Sequence, residues 1–379
     1  MTGLRIALLT RRFDPSGGGT ERDLMVTAAC LREAGHEITI YADEVRGSSP
    51  GLTVRRIGGP RLGRALGLIR FGLGAAAAAR RDGANLVVSF ARAADADVLR
   101  SGGGAHASYV RAARRWRGAA GAAAMRISPY HRAQIFIERR AFASRRLKKV
   151  IAVSNFVRDD LVREFRLAPG IAVTLYNGVD LDRFRPARDL RIRDEVRDRL
   201  GIPRSAMLVI FVGNGFARKG LGYLIDAWPA LGAKPHLLVV GSDRAEHAYR
   251  RRAGALGVGD RVIFAGPQPD VERLYQAADA FAMPSLFEPF GNTVMEAMAS
   301  GLPVLSSAHS GVAEVLPPEM NPFIVEKPDD SGEIALRLAA LLDAREGLGA
   351  IARAGAEKFT WERYARELRA IIEPLGRRA

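Results

Sequence analysis

Short runs of β-branched and other apolar residues, each bounded by glycine or polar residues, alternate with amphipathic or alanine-rich segments along nearly all of this 379-residue chain. Nothing else in the sequence narrows the architecture as much. An apolar run of about four to eight residues reads as a strand buried on both faces, and such strands joined by helices build parallel sheets. The strand-like runs of the first half are 5–10, 37–41, 84–90, 149–153 and 172–176, with helical intervals at 20–34, 66–80, 128–147 and 155–166. The pattern pauses over 180–205, a polar stretch with Pro186 and Pro203 whose charged part, 188–199, suits an exposed linker helix. It restarts with strands at 207–213, 236–241, 261–265, 280–284 and 303–306, and helices at 221–231, 245–256, 271–277 and 292–300. An amphipathic segment closes the chain at 360–375. The length is about twice what one hydrophobic core serves. The expectation is an α/β protein of two Rossmann-like domains, 1–186 and 187–359, with a cleft at the carboxyl ends of their strands.

Composition removes several classes of function. A single cysteine, Cys30, allows neither a disulfide framework nor a cysteine zinc site, and its neighbours Ala28, Ala29 and Leu31 mark it as core. No uninterrupted apolar stretch reaches the roughly 18 residues of a membrane span, and the apolar run at 6–9 is too short for a secretory signal. A soluble, cytoplasmic protein is expected. The net charge is +16, and between Ser101 and Val150 twelve Lys or Arg face the single acid Glu138, a local +11. An arginine- and alanine-favouring genome explains the overall bias better than the clustering. Such a field attracts phosphorylated ligands, anionic membrane or nucleic acid. The basic residues are not interleaved with aromatics and no helix-turn-helix or RNA-recognition signature appears, so no nucleic-acid partner is expected. A non-enzymatic nucleic-acid-binding protein is the remote alternative, and its mark is steeply salt-dependent binding to duplex DNA.

Four segments carry chemistry. Asp14-Pro15-Ser16-Gly17-Gly18-Gly19-Thr20 joins the first strand to the first helix; Gly18 and Gly19 permit close backbone approach to an anion, and Thr20 with Asp23 has capping-box spacing. Arg22 stands where a dinucleotide fingerprint needs glycine, so a nicotinamide or flavin site is unsupported. The second segment, from Phe211 through Gly213 to Arg218, Lys219 and Gly220, places adjacent cations in a glycine-rich turn suited to a diphosphate, without the spacing of a P-loop. The third is Glu288-Pro289-Phe290-Gly291-Asn292-Thr293-Val294-Met295-Glu296. Its carboxylates suit sugar or ribose hydroxyls, and the Gly291, Asn292 and Thr293 amides suit a phosphate, although Thr293 and Glu296 also have capping-box spacing. The fourth is His106 after Gly102-Gly103-Gly104, facing the expected cleft or else a solvated loop residue; no other histidine has a comparable context, and no pair shows metal-ligand spacing.

Together these residues resemble the family 4 glycosyltransferases of the GT-B, two-Rossmann type. The resemblance runs through Gly17 to Glu21, Val153 to Phe156, Tyr176 to Asp180, Phe211 to Gly220, Leu274 to Asp279 and Pro284 to Val304. Phe359 to Tyr364 looks like the family's closing helix, so 360–379 is expected to cross back to the N-terminal domain. Lipopolysaccharide core glucosyltransferases are the nearest likeness. The resemblance implies metal-independent retaining transfer of a hexose, glucose foremost, from a UDP-sugar such as UDP-glucose to a lipopolysaccharide-core or other lipid-linked glycan. Arg218 and Lys219 would hold the diphosphate, Glu296 the ribose, and Glu288 the transferred sugar. Gly213, Gly291, Asn292 and Thr293 would line the donor, with Gly266 and Gln268 at the base. Gly18 and Gly19 would approach the diphosphate, and His106 would lie near the sugar. No cofactor beyond the donor substrate is implied. A front-face route, in which the leaving phosphate takes the acceptor proton, would explain retention. The alternative is a GDP-mannose-dependent or other-sugar transferase acting on a capsule, phospholipid or small-molecule acceptor. Asp95-Ala96-Asp97 and Asp180-Leu181-Asp182 spell the DxD of metal-using transferases and are read as coincidence. Residues 62–79, with Leu66, Leu68, Ile69, Phe71 and Leu73 beside Arg61, Arg64 and Arg70, together with 111–149, would form a basic, partly apolar face. Such a face suits peripheral docking on the anionic inner face of the plasma membrane.

Overall fold

A computed structural model describes residues 3–15, 17–57, 63–232 and 235–376. Ser16, Arg61 and Leu62, named above, lie outside them. The chain divides into two compact units: Met1–Arg114, Gly118–Asn177 and Trp361–Ala379 form one, and Arg115–Arg117 with Gly178–Thr360 the other. The break after Asn177 falls ahead of the boundary at 186 read from the sequence.

The first unit is built on β1 (Arg5–Phe13), β2 (Glu37–Val45), β3 (Thr53–Arg56), β4 (Leu86–Ser89), β5 (Val98–Ser101), β6 (Lys149–Ala152) and β7 (Ala172–Thr174). They form one seven-stranded sheet in the order β3-β2-β1-β4-β5-β6-β7, with every pairing parallel. In β1, Leu8 lies between Ile40 and Val88. Successive side chains of β1 serve opposite faces. Ile6 and Leu8 join a core with Leu24, Leu31 and Ile40, whereas Ala7 and Leu9 pack with Phe71, Ala75 and Val87. The closing helix Trp361–Gly376 packs on this unit through Tyr364, Leu368 and Ile372, spaced at i, i+4 and i+8 to share one face.

Two strands were not legible beforehand. β3 carries Arg55 and Arg56 at the sheet edge and buries almost nothing, and β5 is only four residues long. The basic stretch after His106 is helical, as His106–Ala112, Arg114–Ile127 and Pro129–Phe142.

The second unit is built on β8 (Met207–Val212), β9 (Pro235–Val240), β10 (Val262–Gly266), β11 (Ala280–Ala282), β12 (Val304–Ser307) and β13 (Ile324–Val325), a parallel sheet in the order β10-β9-β8-β11-β12-β13. One expectation fails here: the charged segment is not a solvated linker. The helix Leu190–Leu200 packs on Val271–Ala277, and Arg197 is fully buried. Its guanidinium donates to the carbonyls of Ala277, Arg204 and Ala206 and pairs with Asp279 at 2.9 Å. A buried cation is tolerable only with such full satisfaction, and that comes from residues distant in sequence.

Candidate functional site

The second unit gathers the cation pair and one of the two acids at the carboxyl ends of β8 and β11. β8 runs into the turn 213–220, which ends in the helix Leu221–Ala227. Two glycines there have strict steric reasons. Gly213 has φ +153°, and a Cβ would run into the aliphatic arm of Lys219; Gly220 has φ +79°, and a Cβ would meet the Pro284 carbonyl oxygen. The turn can therefore lie against the loop after β11, where Leu286 N–H donates to the Arg218 carbonyl at 2.9 Å. That loop is fixed in turn by Glu288 N–H to His309 O and Gly311 N–H to Glu288 O, both 2.9 Å.

Both cations meet Glu288. Arg218 Nη1 donates to Glu288 Oε2 at 3.0 Å and to the Phe287 carbonyl at 2.7 Å, and Lys219 Nζ donates to the same Oε2 at 2.8 Å. The Glu288 side chain is 13% exposed. Burial alone would raise its pKa, but Lys219 and then Arg218 overcome it and hold the carboxyl at about 2. Two cations on one carboxylate leave a net positive charge. Lys219 Nζ and Thr293 Oγ1 also approach Met283 Sδ, at 3.3 and 3.6 Å, so Thr293 joins the cluster.

Glu296 is held elsewhere. It is buried in the helix Asn292–Ala299, and Tyr275 O–H lies 3.3 Å from its Oε2 and 3.2 Å from the Thr293 carbonyl. Gly291, at φ +113°, is the N-cap of that helix, and no side chain caps it, so the capping-box reading of Thr293 and Glu296 fails. Gly266 ends β10, and Gln268 Nε2 donates to Ala265 O at 2.6 Å. Asn214 Oδ1, which sequence reasoning passed over, accepts from Ser242 N–H at 2.8 Å and ties the cation turn to the end of β9.

In the first unit, Gly18 is the N-cap of the helix Gly19–Glu33, with no side-chain cap and open space where its Cβ would stand. The Thr20–Asp23 capping box is thus absent. Asp23 is buried instead, accepting from Tyr364 O–H at 2.7 Å and forming an ion pair with Arg100 at 3.0 Å. His106 is no solvated loop residue. It is 7% exposed, its amide donates to Glu138 Oε2 at 2.8 Å, and its Nε2 lies 2.9 Å from His131 Nδ1 with the rings stacked. Burial first, then Arg92 and His131, depress its pKa to about 3, so the imidazole is neutral. The partnership with His131 had no signal in the sequence, because 25 residues and two helices separate the pair.

One carboxylate of each DxD serves the backbone. Asp97 Oδ2 accepts from Val87 N–H at 2.9 Å and pairs with Arg80 at 3.0 Å, while Asp180 Oδ1 accepts from Asp182 and Arg183 N–H within its own turn. Among the described residues, no group of three or more His, Cys, Asp or Glu could hold a metal ion.

Comparison with known proteins decides the family. The model of glycosyltransferase family 4 matches residues 17–183, and that of group 1 glycosyl transferases matches residues 192–358. The chain is a family 4 glycosyltransferase. Mannosylfructose-phosphate synthase of Agrobacterium fabrum is 30% identical over 241 residues, which cover 59% of this chain and 52% of that protein. A D-inositol 3-phosphate glycosyltransferase of Xylanimonas cellulosilytica is 33% identical over 229 residues, covering 57% and 54%. The glycosyltransferase therefore spans about half the length of these curated relatives. Among solved structures, WaaG, a glycosyltransferase involved in lipopolysaccharide biosynthesis, superposes with a TM-score of 0.80 at 22% identity, covering 97% of this chain and 99% of WaaG. Anabaena HepE in complex with UDP-glucose gives 0.73 at 17% identity, covering 98% and 100%. These likenesses establish the GT-B fold for this glycosyltransferase.

Proposed function

We propose that the chain transfers a hexose, glucose foremost, from a UDP-sugar to a lipopolysaccharide-core or other lipid-linked glycan, with retention and without a metal. The observation that carries this reading is the convergence of Arg218 and Lys219 on Glu288 Oε2. A pre-set cation pair suits a diphosphate that gains charge as it leaves, and Glu288 Oε1 can accept from a sugar hydroxyl. Glu296 with Gly291, Asn292 and Thr293, and Gly266 with Gln268, would complete the donor site. In the front-face route the C1–phosphate bond breaks as C1 bonds the acceptor oxygen, and the acceptor proton passes to the leaving phosphate. HepE binds UDP-glucose, which supports that donor. Donor hydrolysis and transfer, assayed over UDP-glucose, UDP-galactose and GDP-mannose, tests the assignment. Turnover of UDP-glucose is expected; no turnover of any UDP-sugar rejects it. A second reading, a GDP-mannose donor with a small-molecule, capsule or phospholipid acceptor, draws on the relative named for a mannosyl product.

The proposal extends to peripheral membrane docking. No helix among the described residues is long and apolar enough to cross a membrane. Leu66, Leu73 and Phe136 are exposed on the helices Gly63–Arg81 and Pro129–Phe142, which pack together, with Arg64, Arg132, Arg139 and Arg140 on the same pair. Vesicle binding that strengthens with anionic lipid and fades with salt is expected, and equal binding to neutral vesicles overturns it.

A further inference from the structure

The first unit holds a cavity of about 1020 Å³ at the carboxyl ends of β1 to β4, the edge where open parallel sheets take ligands. Seven arginines and three carboxylates line it. Four of the arginines are paired with three carboxylates. Arg11 and Arg70 share Asp43 at 3.0 and 2.6 Å, Arg12 pairs with Glu21 at 3.0 Å, and Arg92 pairs with Glu138 at 2.7 Å. The other three, Arg46, Arg56 and Arg64, are exposed and have no carboxylate partner among the described residues. Arg56 Nε reaches only the Asp43 carbonyl at 3.4 Å, and Arg64 lies 4.8 Å over the Tyr130 ring. Each guanidinium carries five N–H donors, and these contacts occupy few of them.

We propose that this cavity binds the acceptor through a phosphomonoester. A neutral sugar would leave the three guanidinium groups that line the cavity without an anionic partner. A phosphomonoester brings up to about two negative charges and three acceptor oxygens, which match guanidinium forks bidentately. Gly63 and Gly67, in the first turns of the helix Gly63–Arg81, also line the cavity; that helix has no acid in its first turn, so its amide end adds to the positive field. The word acceptor rests on the glycosyl-transfer reading above; the anion site itself does not. The phosphate belongs either to a soluble sugar phosphate or to a lipid headgroup.

Calorimetric titration of the full chain distinguishes these sources. The probes are glucose 6-phosphate against glucose, and water-soluble dihexanoyl phosphatidic acid against dihexanoyl phosphatidylcholine. At least one phosphate probe binds and its neutral or zwitterionic counterpart does not; glucose 6-phosphate binding marks the sugar phosphate, and binding of the lipid alone marks the headgroup. The R46A/R56A/R64A variant weakens that binding by about tenfold or more, the loss expected for removed charge-assisted contacts. The charge-matched R188A/R251A/R345A variant, at exposed arginines of the second unit, retains it. The proposal is overturned if neither phosphate binds, or if both variants weaken alike and net charge is all that is read. Absence of UDP-sugar turnover would sink the donor assignment and leave this titration standing.

Discussion

Replacing Glu288 by glutamine removes the carboxylate that Arg218 and Lys219 share while keeping the size of the side chain. Its carboxyl is held at about 2 against an ordinary 4.5, and such a depression corresponds to about 3 kcal/mol of preference for the ionised, folded form. The three side chains are 24%, 10% and 13% exposed, so water screens part of this. A cost of about 2–3 kcal/mol at pH 7 is expected, at the lower edge of what breaking a buried ion pair removes. The pH dependence has a definite sign. A carboxyl with a lowered folded pKa contributes fully above its unfolded value near 4.5 and loses the contribution as pH falls towards 2. The gap between wild type and E288Q is therefore flat from pH 8 to about 5 and closes below it. Urea unfolding of the second unit, followed by the buried Trp228 in a W116F/W361F background, reads it. With a slope of about 2–3 kcal/mol per molar, the midpoint falls by about 1 M at pH 7. An unchanged midpoint, or a gap that persists unaltered to pH 2.5, would refute the shared-carboxylate account.

Gly213→Ala forces Lys219 from its place against the strand end and strains a positive φ; the KM for the donor should rise about tenfold, with about 1–3 kcal/mol of stability lost, checked by kinetics and urea melts. His106 must stay neutral when folded, so the first unit loses stability as pH drops from 6.5 towards 3. His106→Gln should flatten that slope, and an unaltered slope in urea melts at pH 7 and 4.5 would count against it. Tyr364→Phe removes a hydroxyl 2.7 Å from Asp23 Oδ1 and 2.9 Å from Thr27 Oγ1, and should cost the first unit about 1–2 kcal/mol. Hydrogen exchange in the helix Gly19–Glu33 measures it, and wild-type protection would contradict the role.

Strands whose every residue is buried announced themselves. Leu208 to Val212 is apolar throughout and sits in mid-sheet. The edge strands β3 and β13 did not, because they bury too little to need an apolar run. Of the helices after His106, the one at Pro129–Phe142 was read within 128–147, but His106–Ala112 and Arg114–Ile127 were not, since alanine, glycine and arginine there give a weak period. Arg218, Lys219 and Glu288 could be nominated from their motifs. Their common meeting point at one carboxylate oxygen could not, with Lys219 and Glu288 standing 69 positions apart. Asp23 shows the same limit from the other side: its local spacing suggested a cap, yet Tyr364, 341 residues away, holds it.

Hydrophobic periodicity is a property of neighbouring residues, so the chain by itself determined two parallel-sheet units, the glycine-rich turns after their strands and a terminal amphipathic helix. Which polar groups pair inside is settled only once distant segments are packed, because a buried charge takes whichever partner the closed fold brings within reach. That is why the His106–His131 contact, the carbonyl cage of Arg197 and the unneutralised arginines of the first unit belong to the tertiary structure alone.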